Sequence, residues 1–327
     1  MKHIAIVAGG DSSEFVVSLK SAKGLSGFID RERYHLHTVL MVRGDWTVEL
    51  PDGRRAEVDK NDFSFQVDGQ KIKFDYAYIT IHGCPGEDGR LQGYFDMMGV
   101  PYSSCGTFTS ALTFNKYVNN QFLKTQGVRV ADSIRLQKGH GDSANRWDLE
   151  VIIRRLGLPV FVKPNDGGSS FGITKVKEAS QLQPAIEKAF TEGNDVIVES
   201  FITGTEVTCG CYKTKTKQVV FPVTEVVSDN EFFDFDAKYN GQVQEITPAR
   251  LSQEVTTAVQ QETLRIYDLI GARGIIRIDY IIPVDNLPVL LEINTTPGMT
   301  ETSFIPQQIK AAGLHMKDVM TEIIENF

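Results

Sequence analysis

Near the end of the chain, charged and apolar residues alternate in two short runs, Arg277-Ile278-Asp279-Tyr280 and Glu292-Ile293-Asn294. Side chains two apart on a strand share a face. The spacing therefore predicts two neighbouring strands with Arg277, Asp279, Glu292 and Asn294 on one side and Ile278, Tyr280 and Ile293 packed on the other. A guanidinium and three oxygen donors then face one cleft. Asp, Glu and Asn oxygens are hard ligands suited to magnesium. The plainer alternative is an exposed sheet face carrying ordinary salt bridges.

At 327 residues the chain exceeds what a single hydrophobic core usually supports, so two or three domains with a ligand-binding cleft between them are expected. A hydrophobic share of 41% and a charged share of 23% fit an ordinary globular protein. The net charge of -8, with no Lys/Arg-rich run, argues against a nucleic-acid partner, and any phosphate binding must be local. No run of about 18 apolar residues suggests a membrane span. The N-terminus moves straight into strand-like sequence rather than a signal peptide, which points to the cytoplasm. Cys84, Cys105, Cys209 and Cys211 lack C-x-x-C spacing and read as reduced structural thiols.

The first hundred residues read as a parallel α/β layer: strands at His3 to Ala8, His35 to Val42 and Phe74 to Ile81, helices from about Ser13 and over Leu91 to Met98. A continuous helical stretch covers Thr107 to Lys124 and another helix Asp148 to Leu156, with glycines closing both. Strands at Val160 to Lys163 and Val196 to Glu199 flank a Gly/Ser-rich loop and an amphipathic helix at Ser180 to Phe190. Beyond Glu199 come strands at Glu206 to Tyr212 and Val219 to Val227, a polar loop from Asp229 to Pro248, and a long helix from Ser252 to Ile270. Strands at Ile275 to Ile282 and Val289 to Asn294 and two helices parted at Gly313 complete the pattern. These segments group as an N-terminal α/β domain over 1–104, a central domain over 105–199 and a C-terminal domain over 200–327.

Three loops carry further chemistry. Val162-Lys163-Pro164 and the glycines after it resemble a phosphate cradle, although the lysine precedes the glycines and no Walker A spacing is present; a flexible hairpin is the alternative. Gly9-Gly10-Asp11-Ser12-Ser13-Glu14 follows a strand and opens a helix, where Glu14 would attract an ammonium group and Ser12 or Ser13 would otherwise serve as a cap. His82, at the head of His82-Gly83-Cys84-Pro85-Gly86-Glu87-Asp88-Gly89, is either a ligand contact or a loop-ordering hydrogen bonder.

Together these segments resemble the D-alanine:D-alanine ligases of the ATP-grasp superfamily. The resemblance rests on GGDSSEFVVSL at 9–19, HGCPGEDGRLQG at 82–93, FVKPNDGGSSFG at 161–172, FDAKY at 235–239, RGIIRIDY at 273–280 and LEINTTPGMTETSFIP at 291–306, in the family's order along nearly the whole chain. It implies a three-domain ATP-grasp architecture of α/β and α+β character with the N-terminal parallel layer.

The resemblance further implies that ATP lies between the middle and third domains. Lys116, Lys163 and Lys238 are then cast at the phosphates, Glu199, Ser200 and Ile202 around the adenine, and Glu206 on the ribose. Lys116 otherwise reads as a solvated mid-helix lysine. Asp279, Glu292 and Asn294 would hold two magnesium ions, with manganese as a substitute. Glu14 would take the first D-alanine's ammonium, with His82 beside it. Arg277 and the Gly298 N–H would face the oxyanion, and Ser303 and Lys238 are candidates for the second substrate's carboxylate or the transferring phosphate. Ser169 and Tyr239 would close a lid by hydrogen bonding toward Glu14. Gly167 departs from the glutamate that many relatives carry before Gly-Ser-Ser, which leaves the lid's salt bridging open. Tyr239 resembles the dipeptide-forming members and favours an amine acceptor. The implied activity is joining two D-alanines through a D-alanyl phosphate for peptidoglycan precursors, by a homodimer whose partners are D-alanine and ATP. The alternatives are a ligase taking D-serine or D-lactate, an acyl kinase, and a non-catalytic ATP-binding module.

Overall fold

The computed structural model describes residues 1–138, 147–167, 172–228 and 243–326. Three sheets follow one another along the chain. In the first, Lys2–Gly9 runs parallel to Tyr34–Val42 on one side and to Tyr76–Ile79 on the other. Residues Ile4 to Ala8 are all buried, so this strand's side chains pack against both covering layers and only its C-terminal end meets a cleft. The parallel layer carries an unexpected antiparallel extension: Asp45–Glu49, Arg55–Asp59, Ser64–Val67 and Gln70–Lys73 continue outward from Tyr34–Val42. These strands are short and largely polar. They are stabilised by the few apolar residues they turn inward, Val48, Val58 and Phe65, which join Phe63 and Phe74 in one cluster.

The expected helix over Thr107 to Lys124 is two helices, Thr107–Phe114 and Lys116–Thr125. Asn115 sits extended between them and caps the second, its Oδ1 accepting from the Val118 amide at 3.0 Å. Lys116 therefore opens a helix rather than lying in the middle of one. The second sheet is antiparallel throughout, in the order Thr174–Val176, Val160–Pro164, Asp195–Ser200, Ser133–Gln137; the last strand was not anticipated. Helices Leu149–Leu156 and Leu182–Ala189 cover it, burying Ile152, Leu182 and Ile186 against Val160, Val162 and Val196.

The third sheet runs Val243–Ile246, Thr224–Ser228, Thr205–Lys213, Ile276–Ile282, Val289–Asn294, again antiparallel, with Gln218–Val220 on an extra edge. The expected strand at Val219 to Val227 is thus two, and Val243–Ile246 is a strand within the expected loop. Helix Gln253–Leu269 starts at Ser252, whose side chain accepts from the Val255 amide, and covers one face only. Val255, Val259 and Ile266 meet Ile276, Ile278, Tyr280 and Ile293 there. Tyr280, fully buried, satisfies its hydroxyl on Thr263 Oγ1 at 3.0 Å. Ile305 and Gln308 cover part of the opposite face at Gly210 and Thr208, and the rest is open to a cleft.

Helices Phe304–Ala311 and Met316–Asn326 return from this sheet to the first one, packing Ile305, Ile309, Met320 and Ile323 against Ile4, Ile6, Tyr34 and Tyr76. The N-terminal turns and the open C-terminal face are thereby held opposite each other. Helix Phe15–Phe28 lies so close to the loop after Val289–Asn294 that a Cβ on Gly24 would overlap the Met299 carbonyl. All four cysteines are free thiols.

Candidate active site

Two turns of the first sheet form one wall. Ser12 Oγ donates to the His82 carbonyl at 2.8 Å and accepts from the Glu14 amide at 3.2 Å, so it ties the turns together instead of capping the helix that begins at Phe15. Glu14 and His82 are both buried. Burial holds His82 below its ordinary range, Arg277 pushing the same way and Glu14 opposing. Its Nε2 lies 3.4 Å from Ser21 Oγ. Glu87 went unassigned in the sequence, yet it accepts from the Gly83 amide at 2.7 Å, and burial with the nearby Glu14 charge pushes it up to about 8. The available signal is the first acid of the HGCPGEDG turn; nothing in that turn alone shows the burial that perturbs it.

The open face of the third sheet forms the opposite wall. Asn294 pairs with Arg277 and Glu292 with Asp279 in the strand register, and a bulge follows Asp279. Arg277 grips Asp279 through Nε and Nη2 at 2.9 and 2.8 Å, and Nη2 lies 3.9 Å from Glu292 Oε1. Thr208 Oγ1 adds a donor to Asp279 at 2.5 Å. Two parallel charge-assisted bonds offset much of the desolvation such a pair suffers. Phe304 presents its ring to the guanidinium, 5.2 Å from centroid to Cζ. The Asn294 side chain accepts from the Thr296 amide at 3.1 Å, and Ser303 Oγ is tied to Thr300.

Two cavities of about 730 and 700 Å³ meet here, each of a size suited to a small ligand. The first holds Glu14, His82, Glu87, Arg277, Asn294, Gly298 and Ser303. The second holds Lys163, Glu199, Ser200, Ile202, Glu206 and Asp279. Glu14, Lys116 and Glu292 line both, marking the passage between them. Lys163 and Glu199 form a buried pair at 2.6 Å, with Asn120 donating to the second carboxylate oxygen at 3.1 Å. Lys116 reaches the Gly167 carbonyl at 2.6 Å, and burial followed by the neighbouring Lys163 charge lowers its pKa. Ser169, Lys238 and Tyr239 lie outside the described residues.

The donors fit a hard divalent cation: two carboxylates and an amide oxygen on one face, beside two lysines. No group of three His, Cys, Asp or Glu among the described residues could hold a metal alone. That suits magnesium, which takes one or two carboxylates and completes its shell with substrate phosphates. An antiparallel sheet carrying that face, with a second antiparallel sheet lining the same cavity, defines the ATP-grasp fold.

Comparison with known proteins narrows the class. Two family models match, described as D-ala D-ala ligase N-terminus over residues 3–105 and D-ala D-ala ligase C-terminus over residues 122–325. The chain belongs to the D-ala D-ala ligase family. It is 67% identical over 325 residues to a D-alanine–D-alanine ligase of Parabacteroides distasonis, covering 99% of this chain and 97% of the relative. It is 61% identical to one of Bacteroides fragilis, covering 99% of each. Among solved structures, the VanG D-Ala:D-Ser ligase of Enterococcus faecalis superposes with a TM-score of 0.86 at 31% identity, covering 99% of this chain and 98% of that one. The D-alanyl-alanine synthetase A of Vibrio cholerae gives 0.88 at 26%, with the same coverage.

Proposed function

We propose that this protein joins two D-alanines at the cost of one ATP, through a D-alanyl phosphate, to supply D-alanyl-D-alanine for peptidoglycan precursors. The observation that carries the reading is the open face where Arg277, Asp279, Glu292 and Asn294 stand between two connected cavities. The full-length likeness to relatives named D-alanine–D-alanine ligase supports it.

In this reading ATP occupies the second cavity, with Lys116 and Lys163 toward its phosphates, Glu199, Ser200 and Ile202 around the base and Glu206 on the ribose. Asp279, Glu292 and Asn294 would hold two divalent ions, magnesium or manganese, which neutralise triphosphate charge and so admit a carboxylate nucleophile. The first D-alanine lies in the other cavity, its ammonium on Glu14 near His82. Its carboxylate attacks the terminal phosphorus, and ADP departs. The second D-alanine's amine then attacks the acyl carbon. Arg277 and the Gly298 N–H meet the oxyanion, an interaction that grows as negative charge collects there. Phosphate leaves and an amide remains. Ser303, Lys238, Ser169 and Tyr239 complete the acceptor site and lid.

The division at residues 104 and 199, the homodimer and the cytoplasmic location belong to the same proposal. No helix among the described residues is long and apolar enough to cross a membrane. The test is phosphate release with ATP and magnesium. Turnover that depends on D-alanine and yields the dipeptide is expected, and none would end the reading. Because one structural neighbour is a D-Ala:D-Ser ligase, D-serine is the competing acceptor to include.

A further inference from the structure

The acceptor reaches the site as an ammonium ion, which has no lone pair with which to attack; some group must take a proton first. Glu245 lies in the same cavity as Arg277, Gly298, Ser303 and Phe304, and neither the resemblance nor the sequence pattern assigned it a role. It stands on strand Val243–Ile246, opposite Val226 in the register. Gln307 Nε2 donates to Glu245 Oε2 and also to the Thr302 carbonyl at 2.7 Å, which fixes the carboxylate against helix Phe304–Ala311, in the cavity that Ser303 also lines. Gln307 is its one hydrogen-bond partner among the described residues.

We propose that Glu245 is the group that receives the acceptor's ammonium proton. The proposal rests on the ligase reading above. The steps balance without any further reagent. The ammonium gives one proton to the Glu245 carboxylate, and the freed nitrogen pair forms the C–N bond. The C–O bond to phosphate then breaks, its electron pair leaving with phosphate, which takes the second nitrogen-bound proton.

The surroundings suit that task. Glu245 is raised above the ordinary carboxylate range, chiefly by burial, while the Gln307 hydrogen bond and the Arg277 charge hold the rise back. The charged and titratable groups that share its cavity are Arg277 and Glu292 on the strands at the far side of the same sheet, Glu301 before helix Phe304–Ala311, Glu14, Lys20 and Lys23 on and before helix Phe15–Phe28, and His82, Glu87 and Lys116. A carboxylate attracts an ammonium ion and, with its affinity for protons raised, accepts one more readily near neutral pH.

The test compares two acceptors of the same acyl phosphate. Hydroxylamine is already neutral at pH 7 and needs no base before it attacks. In the Glu245→Gln variant, dipeptide formation at pH 7 is expected to fall about 100-fold, the usual scale for losing a general base. Hydroxamate formation from D-alanine, ATP and hydroxylamine should stay near the wild-type rate. The variant's dipeptide rate should also climb with pH as free amine becomes available, and Glu245→Asp should recover part of the loss. Equal loss of both reactions would make Glu245 a structural residue and overturn the proposal, as would an unchanged dipeptide rate. Absence of D-alanine-dependent hydroxamate in the wild type would instead defeat the ligase reading itself.

Discussion

The two sheets that face each other across the cleft put their chemistry in different places. In the first sheet the central strand Lys2–Gly9 is flanked by parallel neighbours and buried along Ile4 to Ala8, so no side chain along that stretch can meet a ligand. The groups that line the cleft collect there in the turns beyond the strand ends, at Glu14, His82 and Glu87. In the third sheet the strands are antiparallel and the face away from helix Gln253–Leu269 is covered only in part, by helix Phe304–Ala311, so Arg277, Asp279, Glu292 and Asn294 project from the strands themselves into the cleft. A strand face holds its groups at fixed spacing, which suits charge placement. A pair of turns bridged by Ser12 brings two acids together, and the Glu14 charge adds to burial in raising Glu87.

The sharpest way to break this contrast is to make the same change, glutamate to glutamine, on each wall. On the sheet face, Glu292→Gln removes a charge without removing volume. It should lower kcat by about 100-fold or more, since metal-assisted charge stabilisation is worth several kcal/mol, while nucleotide binding falls far less. Parallel turnover and nucleotide titrations check this, and unchanged turnover would remove Glu292 from the chemistry. Asp279 is a poorer probe, because breaking a buried ion pair costs about 3–5 kcal/mol of stability and confounds the reading.

In the turns the same substitution should act on stability. Glu87 is raised to about 8, so between its unfolded value near 4.5 and that value the folded state must take up a proton that the unfolded chain has released. Stability is therefore lost as pH rises through that window. Glu87→Gln should raise Tm at pH 8 and leave it nearly unchanged at pH 4.5. On the interior strand Tyr34–Val42 of the same sheet His37 supplies the opposite sign. Its Nε2 lies 3.0 Å from His3 Nδ1, its ring meets Phe65 and Phe74 edge-on, and burial lowers it to about 4. Its contribution is present above pH 6.5 and is lost as pH falls toward 4. A Tm profile of His37→Gln should be the flatter of the two over that range, by a smaller margin than the Glu87 effect.

The contrast also explains what was legible beforehand. Alternation at 277–280 and 292–294 announces a half-covered strand pair directly, because the period of two belongs to the local backbone. The antiparallel extension of the first sheet was missed because its strands are four or five residues long and mostly polar on both sides. The break at Asn115 was missed because its cause is tertiary. The Asn165 carbonyl accepts from the Lys116 amide at 3.0 Å and its side chain accepts from the Tyr117 amide at 2.8 Å, so a distant loop fixes where the second helix begins. Glu87 and Glu245 were passed over for the same reason. Their interest lies in burial and in partners far along the chain, and neither sits in a pattern that local spacing reveals.

A carboxylate that attacks the terminal phosphorus at the open sheet face leaves one of its own oxygens on the phosphate when the acyl C–O bond later breaks. D-Alanine labelled with ¹⁸O in its carboxylate tests this directly, by mass analysis of the phosphate released with unlabelled ATP and water. One labelled oxygen in each phosphate is the result expected of a D-alanyl phosphate. Phosphate without label would mean that the carboxylate never bonded to phosphorus, and the mechanism assigned to this face would be wrong.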